Sequence, residues 1–505
     1  KGLIYVISID VEVYDLKNKL ELSNYNFTVN LQKIVLNNFK NVSNGEVVFQ
    51  SYKYREKISK KIKKAKKDNI DYDYNIDENL LSDIIGLYGQ NGSGKTSIVD
   101  GINLFKCIAS GQKIPNYVND FIGNKGNSIK LEFTFYIDDN LDKEDSQQLL
   151  TYVFEIGKVR DKLNIIYEKM YTYFILNDEI ESRRKNLIEF KMDASPSVRP
   201  NFQNDIVNAS YSKNALEVAN ELAQLTQTSF IFGEKAFNVL SSSVDILKTP
   251  LISLKTFAMD NLVVIRNDRL RAQENDEPIP FNLIIYNSCN RIVKEYLVSY
   301  NKPINLSLDE FNIFKQTIES SNIVIGSIIP GLQIEVNEVG DKTLQDGTKG
   351  KMIELLSVRD GIKFPLVCES DGIKKIIAIV SAIIAMVNDK KVCLVVDELD
   401  AGVYEYLLGE ILYVLENDAE GQFLFTSHNL RALETLSKDA IVFTTTNPEN
   451  RYIRFSNIKN TNNLRDLYIR SLKLGGQKEW LYNNSDRNDI GYSFYNAWED
   501  KFDDN

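Results

Sequence analysis

The stretch "GQNGSGKT" (Gly89–Thr96) decides how the rest of the chain is read. It fits G-x-x-x-x-G-K-[ST] in full. An apolar, strand-like run, "IIGLYG" (Ile84–Gly89), precedes it, and a helix is expected from about Thr96. Glycines at these positions let successive backbone N–H groups curl around phosphate oxygens, and the helix N-terminus adds its dipole. The expected cradle is Gly89, Asn91, Gly92, Ser93, Gly94, Lys95, Thr96 and Ser97. Lys95 would reach the β- and γ-phosphates, and the Thr96 hydroxyl would take a place on Mg²⁺. ATP with Mg²⁺ is the ligand this implies.

Almost 300 residues later comes "VCLVVDELDAG" (Val392–Gly402). Its apolar residues describe a buried strand that delivers Asp397 and Glu398 to its C-terminal end. Asp397 suits the Mg²⁺ shell, and Glu398 is the candidate base for an attacking water. Alone, the pair could equally be an acidic strand end capping the next helix. The cradle upstream favours the catalytic reading.

One helix earlier lies "ESDGIKKIIAIV" (Glu369–Val380), where Ser370 and Gly372 open an apolar helix and build an anion site. The cradle already occupies this chain's own nucleotide, so a second anion site has to meet a phosphate from elsewhere. In ABC-type ATPases the corresponding signature meets the γ-phosphate held by the facing subunit. Asp371 stands where the common L-S-G-G-Q form has glycine. The plainer alternative is that Ser370 or Asp371 caps the helix. "LGGQ" (Leu474–Gln477) imitates a signature but falls after the acidic strand and reads as a turn.

His428, in "FTSHN", is the only histidine in 505 residues. A lone histidine is ordinarily a surface or satisfied core residue. This one follows the strand after Asp397 and Glu398, where ABC heads place a switch histidine against the γ-phosphate and the water. Asp400 lies in the segment matching the D-loop, which lines the seam between two such heads.

Composition sets limits. With 43% hydrophobic and 26% charged residues the chain is ordinary globular protein, and 505 residues exceed one compact domain. A net charge of −10 argues against coating nucleic acid through bulk charge, though it leaves room for a local basic patch. Cys107, Cys289, Cys368 and Cys393 are far apart, which reads as reduced thiols and offers no zinc motif. No apolar run reaches membrane-span length, and the opening "KGLIYVISIDVEVYDL" is strand-like, so a cytoplasmic protein is expected.

Along the chain, residues 31–49 read as two strands about a turn at Ser43–Gly45. A basic run, Lys53–Lys67, and an acidic, tyrosine-rich run follow, either a solvated hairpin or a phosphate-backbone contact. Residues 129–137, 149–159 and 164–175 alternate as an antiparallel β layer. The Pro-rich segments 193–201 and Glu277–Phe281 mark loops. The expected division is 1–180 as an N-terminal ATPase lobe, 181–350 as a mostly helical insertion, 351–460 as the C-terminal lobe and 461–505 as a loosely packed extension. "ALEVANELAQL" and "RIVKEYLVSY" are the helix candidates of the insertion. The fold class is therefore α/β: a P-loop ABC-type head combining a mixed sheet with an antiparallel β layer.

Together, "NNFKNVSNGEVVF", "GLYGQNGSGKTSIVDGI", "ESDGIKKI", "VVDELDAGVYEYLLGEIL" and "FTSHN" resemble the ABC-type ATPases of the OLD-like superfamily. Within it they resemble the ATPase subunits of abortive-infection and anti-phage systems such as AbiL and the PARIS ATPase. The resemblance covers 350–445 well and 31–180 loosely. It implies a homo-oligomer, at least a head-to-tail dimer sandwiching ATP. Many relatives end in a Toprim nuclease domain, and only about 75 residues follow His428 here. A separate effector, of the Toprim nuclease type, is the implied partner, with a phage protein as trigger. Tyr404 and Glu405 depart from the D-E-x-x-x-G-L-H-P pattern of that family, and no Q-loop glutamine is evident. Glu168 is a substitute candidate near Mg²⁺ or the γ-phosphate, against an ordinary strand glutamate. A RecF- or SMC-like repair ATPase that clamps DNA is the alternative, resting on the basic run. A transporter ATPase would be a shorter head carrying L-S-G-G-Q.

Overall fold

The computed structural model describes residues 27–49, 84–122, 128–138, 147–176, 179–180, 184–192, 197–198, 210–243, 245–266, 279–286, 291–298, 302–344, 347–455, 463–474, 477–482 and 486–499. The strand-like N-terminus, the basic run Lys53–Lys67, the acidic run after it and most of the segment 193–201 lie outside these residues.

A hairpin comes first, β1 (Thr28–Phe39) and β2 (Val42–Val48). Its turn falls at Lys40 and Asn41 rather than at Ser43–Gly45, because Phe39 already pairs with Val42. Positive φ angles of 53° at Asn38 and 54° at Lys40 make that tight reversal, and Gly45 pairs with Leu36 inside β2. Then follow β3 (Ile84–Tyr88), α1 (Lys95–Ala109), β4 (Ser128–Asp138), β5 (Gln147–Val159), β6 (Lys162–Leu176), β7 (Glu179–Ile180), β8 (Lys185–Lys191) and β9 (Ser197–Val198). All but β3 join one antiparallel sheet in the order β2-β1-β4-β5-β6-β8-β9, with β7 paired to β6. Strict alternation builds it: Ile129, Leu131, Phe133, Phe135 and Ile137 of β4 are buried, with more polar residues between them.

The next stretch holds α2 (Ser210–Thr226), α3 (Glu234–Ser243), α4 (Asp245–Thr256), β10 (Leu262–Ile265), β11 (Ile279–Tyr286), β12 (Arg291–Val298), β13 (Ile304–Ser307), α5 (Leu308–Ile328) and β14 (Leu332–Thr343). The described residues of 181–350 thus mix strand with helix, where a mostly helical insertion was expected. "RIVKEYLVSY", expected as a helix, supplies β12, which pairs with β11 from Arg291 to Val298. Strand preference depends on the partner strand, which local periodicity does not reveal. Ser307 and Glu310 start α5 with a reciprocal capping box.

β15 (Lys349–Arg359), β16 (Ile362–Pro365), α6 (Asp371–Asn388), β17 (Cys393–Val396), α7 (Glu405–Asp418), β18 (Gln422–Thr426), α8 (Ala432–Thr435), β19 (Ile441–Thr444), β20 (Tyr452–Ile453), α9 (Leu464–Leu474) and α10 (Arg487–Glu499) complete the chain. The central sheet runs β10-β17-β18-β3-β19-β20 and is parallel except for β20. β10 therefore comes from the expected insertion but is a strand of the head itself.

Cys393 and Val395 of β17 enter the core shared with α1 and the antiparallel sheet, while Leu394 and Val396 enter a second core on the opposite face. That double burial is why the run before Asp397 reads as unbroken apolar sequence. On α1, Phe105 packs 4.8 Å from Phe133 and 5.1 Å from Phe135, ring centre to ring centre. Each such fully buried side chain contributes about 1.5–3 kcal/mol, which holds α1 firmly against the β layer. A third core joins α5 to β13–β15 and to Ile377 and Val380 of α6. Leu464 and Tyr468 of α9 belong to the second core, so the C-terminal segment is packed at least that far. No helix among the described residues is long and apolar enough to cross a membrane.

Candidate active site

The candidate residues collect where adjacent parallel strands end. Gly89 follows β3, Asp397 follows β17 and His428 follows β18, all at carboxyl ends of neighbouring strands. Open α/β sheets form their ligand crevices at such edges.

The loop Gly89–Thr96 turns through left-handed φ angles of 73° at Gly92 and 94° at Gly94, where a Cβ is disfavoured. Lys95 is 6% exposed, and its Nζ donates to the carbonyls of Gly89 (2.9 Å) and Gln90 (3.0 Å). Burial pushes its pKa down to about 8, against the pull of Asp397, Asp400 and Glu398. The loop is braced by residues the sequence motif does not contain. Asn41 donates to the Gly92 carbonyl and accepts from Ser97 Oγ at 3.1 Å. Tyr452 donates to the Gly94 carbonyl at 2.7 Å, and the Thr444 hydroxyl bonds Ser93 Oγ. Arg451 fixes the Asn41 carbonyl at 2.6 Å.

Thr96 Oγ1 lies 3.4 Å from Asp397 Oδ1. Asp397 is 4% exposed, and burial, joined by the charges of Glu398 and Asp100, raises its pKa against the hydrogen bonds of Thr426 and Thr96. A divalent cation would remove that penalty. Thr96 and Asp397 fit Mg²⁺, which takes one or two protein oxygens and completes its shell with phosphate and water. No group of three or more His, Cys, Asp or Glu side chains placed to hold a metal ion occurs among the described residues. Glu398 sits at φ 48°; its N–H donates to Thr426 Oγ1 at 2.7 Å, and its carbonyl accepts from Lys375.

His428 donates its backbone N–H to Asp400 Oδ2 at 3.0 Å. Partial burial, then the Lys95 charge, lowers its pKa against the pull of Asp400, Glu398 and Asp397. The other Asp400 oxygen is buried with no hydrogen-bond partner among the described residues. Ser370 caps α6 by accepting the Ile373 N–H at 3.4 Å, so the capping geometry exists within one chain. Gly372 packs against the turn at Gly402, where an added Cβ would come within 1.8 Å of the Gly402 carbonyl oxygen. The structure thus brings Lys95, Thr96, Asp397, Glu398, Asp400 and His428 to one edge. It packs Gly372 against the turn at Gly402, and Ser370 and Gly372 have no described hydrogen bond to their own chain's phosphate loop.

Glu168 does not belong to this edge. It is fully buried and accepts from Tyr152 (2.5 Å), Ser229 (2.6 Å) and the N–H groups of Phe230 (2.8 Å) and Ile231 (3.3 Å). Burial raises its pKa, and these bonds oppose the shift. It is a strand glutamate that pins the 229–231 loop to the β layer.

Sequence reading also missed Asp100 and its partners. Asp100 on α1 is 1% exposed and pairs with Lys40 from the hairpin turn and with Arg266, 3.3 Å away, just after β10. Asp397 donates its N–H to the Ile265 carbonyl at 2.9 Å, so Arg266 stands level with Asp397 on the neighbouring strand. Nothing in the local sequence links positions 40, 100 and 266.

A parallel sheet of this order, with the cradle, the acidic pair and the histidine on adjoining strand ends and an antiparallel layer packed on α1, is an ABC-type P-loop ATPase fold. The chain belongs to the AAA_21 family, described as "AAA domain, putative AbiEii toxin, Type IV TA system", whose model matches residues 84–434. No curated protein matches the sequence. Among solved structures, the chain is similar to the SMC head domain from Thermotoga maritima at 14% identity and a TM-score of 0.34, over 84% of this chain and 99% of that one. An Smc head with coiled coil and joint from Pyrococcus yayanosii matches at 10% identity and a TM-score of 0.40, over 88% and 100% of the two chains. The recombination mediator RecF bound to ATP matches at 11% and 0.33, over 80% and 94%.

Proposed function

We propose that the chain binds MgATP in the Gly89–Ser97 cradle and hydrolyses it, and that the nucleotide state governs how a partner protein is held. The observation that carries this reading is the convergence of Lys95, Thr96, Asp397, Glu398, Asp400 and His428 on the carboxyl edge of one parallel sheet. Backbone N–H groups and the Lys95 ammonium hold the phosphates. Mg²⁺, when bound by Thr96 and Asp397, neutralises charge developing on the phosphoryl oxygens. Glu398 orients the attacking water and accepts its proton, and His428 supplies a hydrogen bond beside the γ-phosphate.

The second copy enters through Ser370 and Gly372. Gly372 lies against the turn at Gly402, and with Ser370 it would meet the γ-phosphate of a facing head, giving a head-to-tail pair with two ATP molecules. The family's description supports a place in a toxin–antitoxin system. Control of a separate effector of the Toprim nuclease type is our extension of that reading and rests on the sequence resemblance alone. The test is purification of Glu398→Gln protein, tagged in its native cell, in ATP and Mg²⁺, followed by native mass spectrometry. ATP-loaded assemblies carrying a second, nuclease-like polypeptide support the reading. ATP-loaded protein that retains duplex DNA and no second polypeptide overturns the effector assignment.

A further inference from the structure

We propose that Lys375 is a positioning residue for Glu398, holding its backbone from the helix whose first turn would meet the facing head's γ-phosphate. This deepens the ATPase reading above and rests on it. Lys375 lies on α6 and is 4% exposed, although it carries an ammonium. A lysine is seldom buried that far unless polar partners compensate its lost hydration. Its Nζ donates to the main-chain carbonyl of Glu398.

The backbone at Glu398 has to be held. Its φ of 48° lies in the left-handed region, which a residue with a Cβ keeps only where its surroundings fix it. Two elements do so. From β18, the Thr426 hydroxyl accepts the Glu398 N–H at 2.7 Å, and the Thr426 carbonyl accepts the Leu399 N–H at 2.9 Å. From α6, Lys375 takes the Glu398 carbonyl, which also accepts the Ala401 N–H at 2.9 Å and so closes the turn. A charged donor bonds roughly twice as strongly as a neutral one, so Lys375 outweighs the Ala401 amide there. The direction in which the carboxylate leaves the chain follows from that peptide orientation.

The same face of α6 grips the other end of the turn. Gly372 lies three residues before Lys375, about 4.5 Å along the helix axis, and packs against Gly402. Gly402 has as little room as Gly372: a Cβ on it would come within 2.9 Å of the Gly372 nitrogen and 3.0 Å of its Cα. The turn from Glu398 to Gly402 is thus docked at both ends on one turn of α6. The helix itself is set in two cores, Ala378 and Ala382 in the second and Ile377 and Val380 in the third. Elements packed so closely transmit displacement and do not absorb it. A shift at Ser370 and Gly372 therefore reaches the Glu398 carbonyl, and the ATP met at the start of α6 sets the base that serves this head's own ATP.

The experiment measures ATP affinity and single-turnover cleavage in the full chain, comparing wild type, Lys375→Met, Glu398→Gln and the variant carrying both. Methionine keeps the length of the side chain and removes its charge and donors. Lys375→Met should bind ATP within a factor of two of the wild type and cleave it at least tenfold more slowly. Because Lys375 acts through Glu398, the double variant should be no slower than Glu398→Gln alone. Lys375→Gln, shorter and neutral, should show the same split, and it decides the matter if circular dichroism finds Lys375→Met unfolded. Cleavage within twofold of the wild type, affinity lost in step with turnover, or a further tenfold loss in the double variant would overturn the proposal. A wild type that needs Glu398 and not Lys375 overturns this proposal alone. A wild type that releases no phosphate overturns the ATPase reading with it.

Discussion

The Thr426 hydroxyl donates to Asp397 Oδ1 at 2.6 Å, and Thr426 Oγ1 itself accepts the Glu398 N–H at 2.7 Å. One side chain from β18 thereby sets both carboxylate-bearing residues at the end of β17. Thr426→Val keeps the shape and removes the link. Loss of a buried hydrogen-bonded partner costs about 1–3 kcal/mol, so a lowered melting temperature is expected. Outer-shell partners of metal ligands typically matter by about 10–100-fold, and Mg²⁺ titration of the ATPase rate should show a weakening of that order. Unchanged Mg²⁺ dependence would remove Asp397 from the metal site.

Gly372 predicts a steric effect. In Gly372→Ala the new Cβ meets the Gly402 carbonyl oxygen at 1.8 Å, so α6 and the turn at Gly402 must separate. A loss of about 1–3 kcal/mol is expected from overpacking, together with loss of ATP-induced pairing. Gly491→Ala, where nothing lies within 4 Å, is the matched control and should be neutral or slightly stabilising. Denaturant midpoints and sedentation-free mass measurements by light scattering check both.

Lys95 predicts a pH dependence with a definite sign. Its pKa is pushed down to about 8, and only the protonated form attracts phosphate. ATP affinity should be flat below that pH and fall as pH rises through it, approaching a tenfold loss per unit. Isothermal titration in two buffers of different ionisation enthalpy should show proton uptake on binding above pH 8. An affinity independent of pH up to 9.5 would contradict the role.

Glu168 separates structural from catalytic carboxylates. Glu168→Gln places an amide among four donors aimed at a carboxylate, and should cost about 1–3 kcal/mol in stability. ATP affinity measured in the folded protein should stay within a factor of two. A selective loss of Mg²⁺-dependent turnover would return this residue to the site.

The parts of the site legible in the sequence are those whose chemistry is local. Gly89–Thr96 is a contiguous cradle, and the run before Asp397 announces a strand buried on both faces. His428 was found through its place after the next strand. What stayed hidden depends on chain reversals: Arg451 reaches Asn41 across 410 positions, and Thr444 reaches Ser93 across 351. The clamp of Lys40 and Arg266 on Asp100 joins three separate segments in the same way. β12 was misread because its helix-like composition gave no hint of β11 opposite. Glu168 looked available because sequence shows a strand carboxylate but not the loop that covers it.

The central claim is that this edge of the sheet binds ATP and cleaves it through Glu398. Its most direct test is a single-turnover reaction with γ-³²P-labelled ATP and Mg²⁺ on the wild-type and Glu398→Gln proteins. The account predicts phosphate release by the wild type, and by the variant intact ATP that stays bound and unhydrolysed. Phosphate release by Glu398→Gln at the wild-type rate would contradict it.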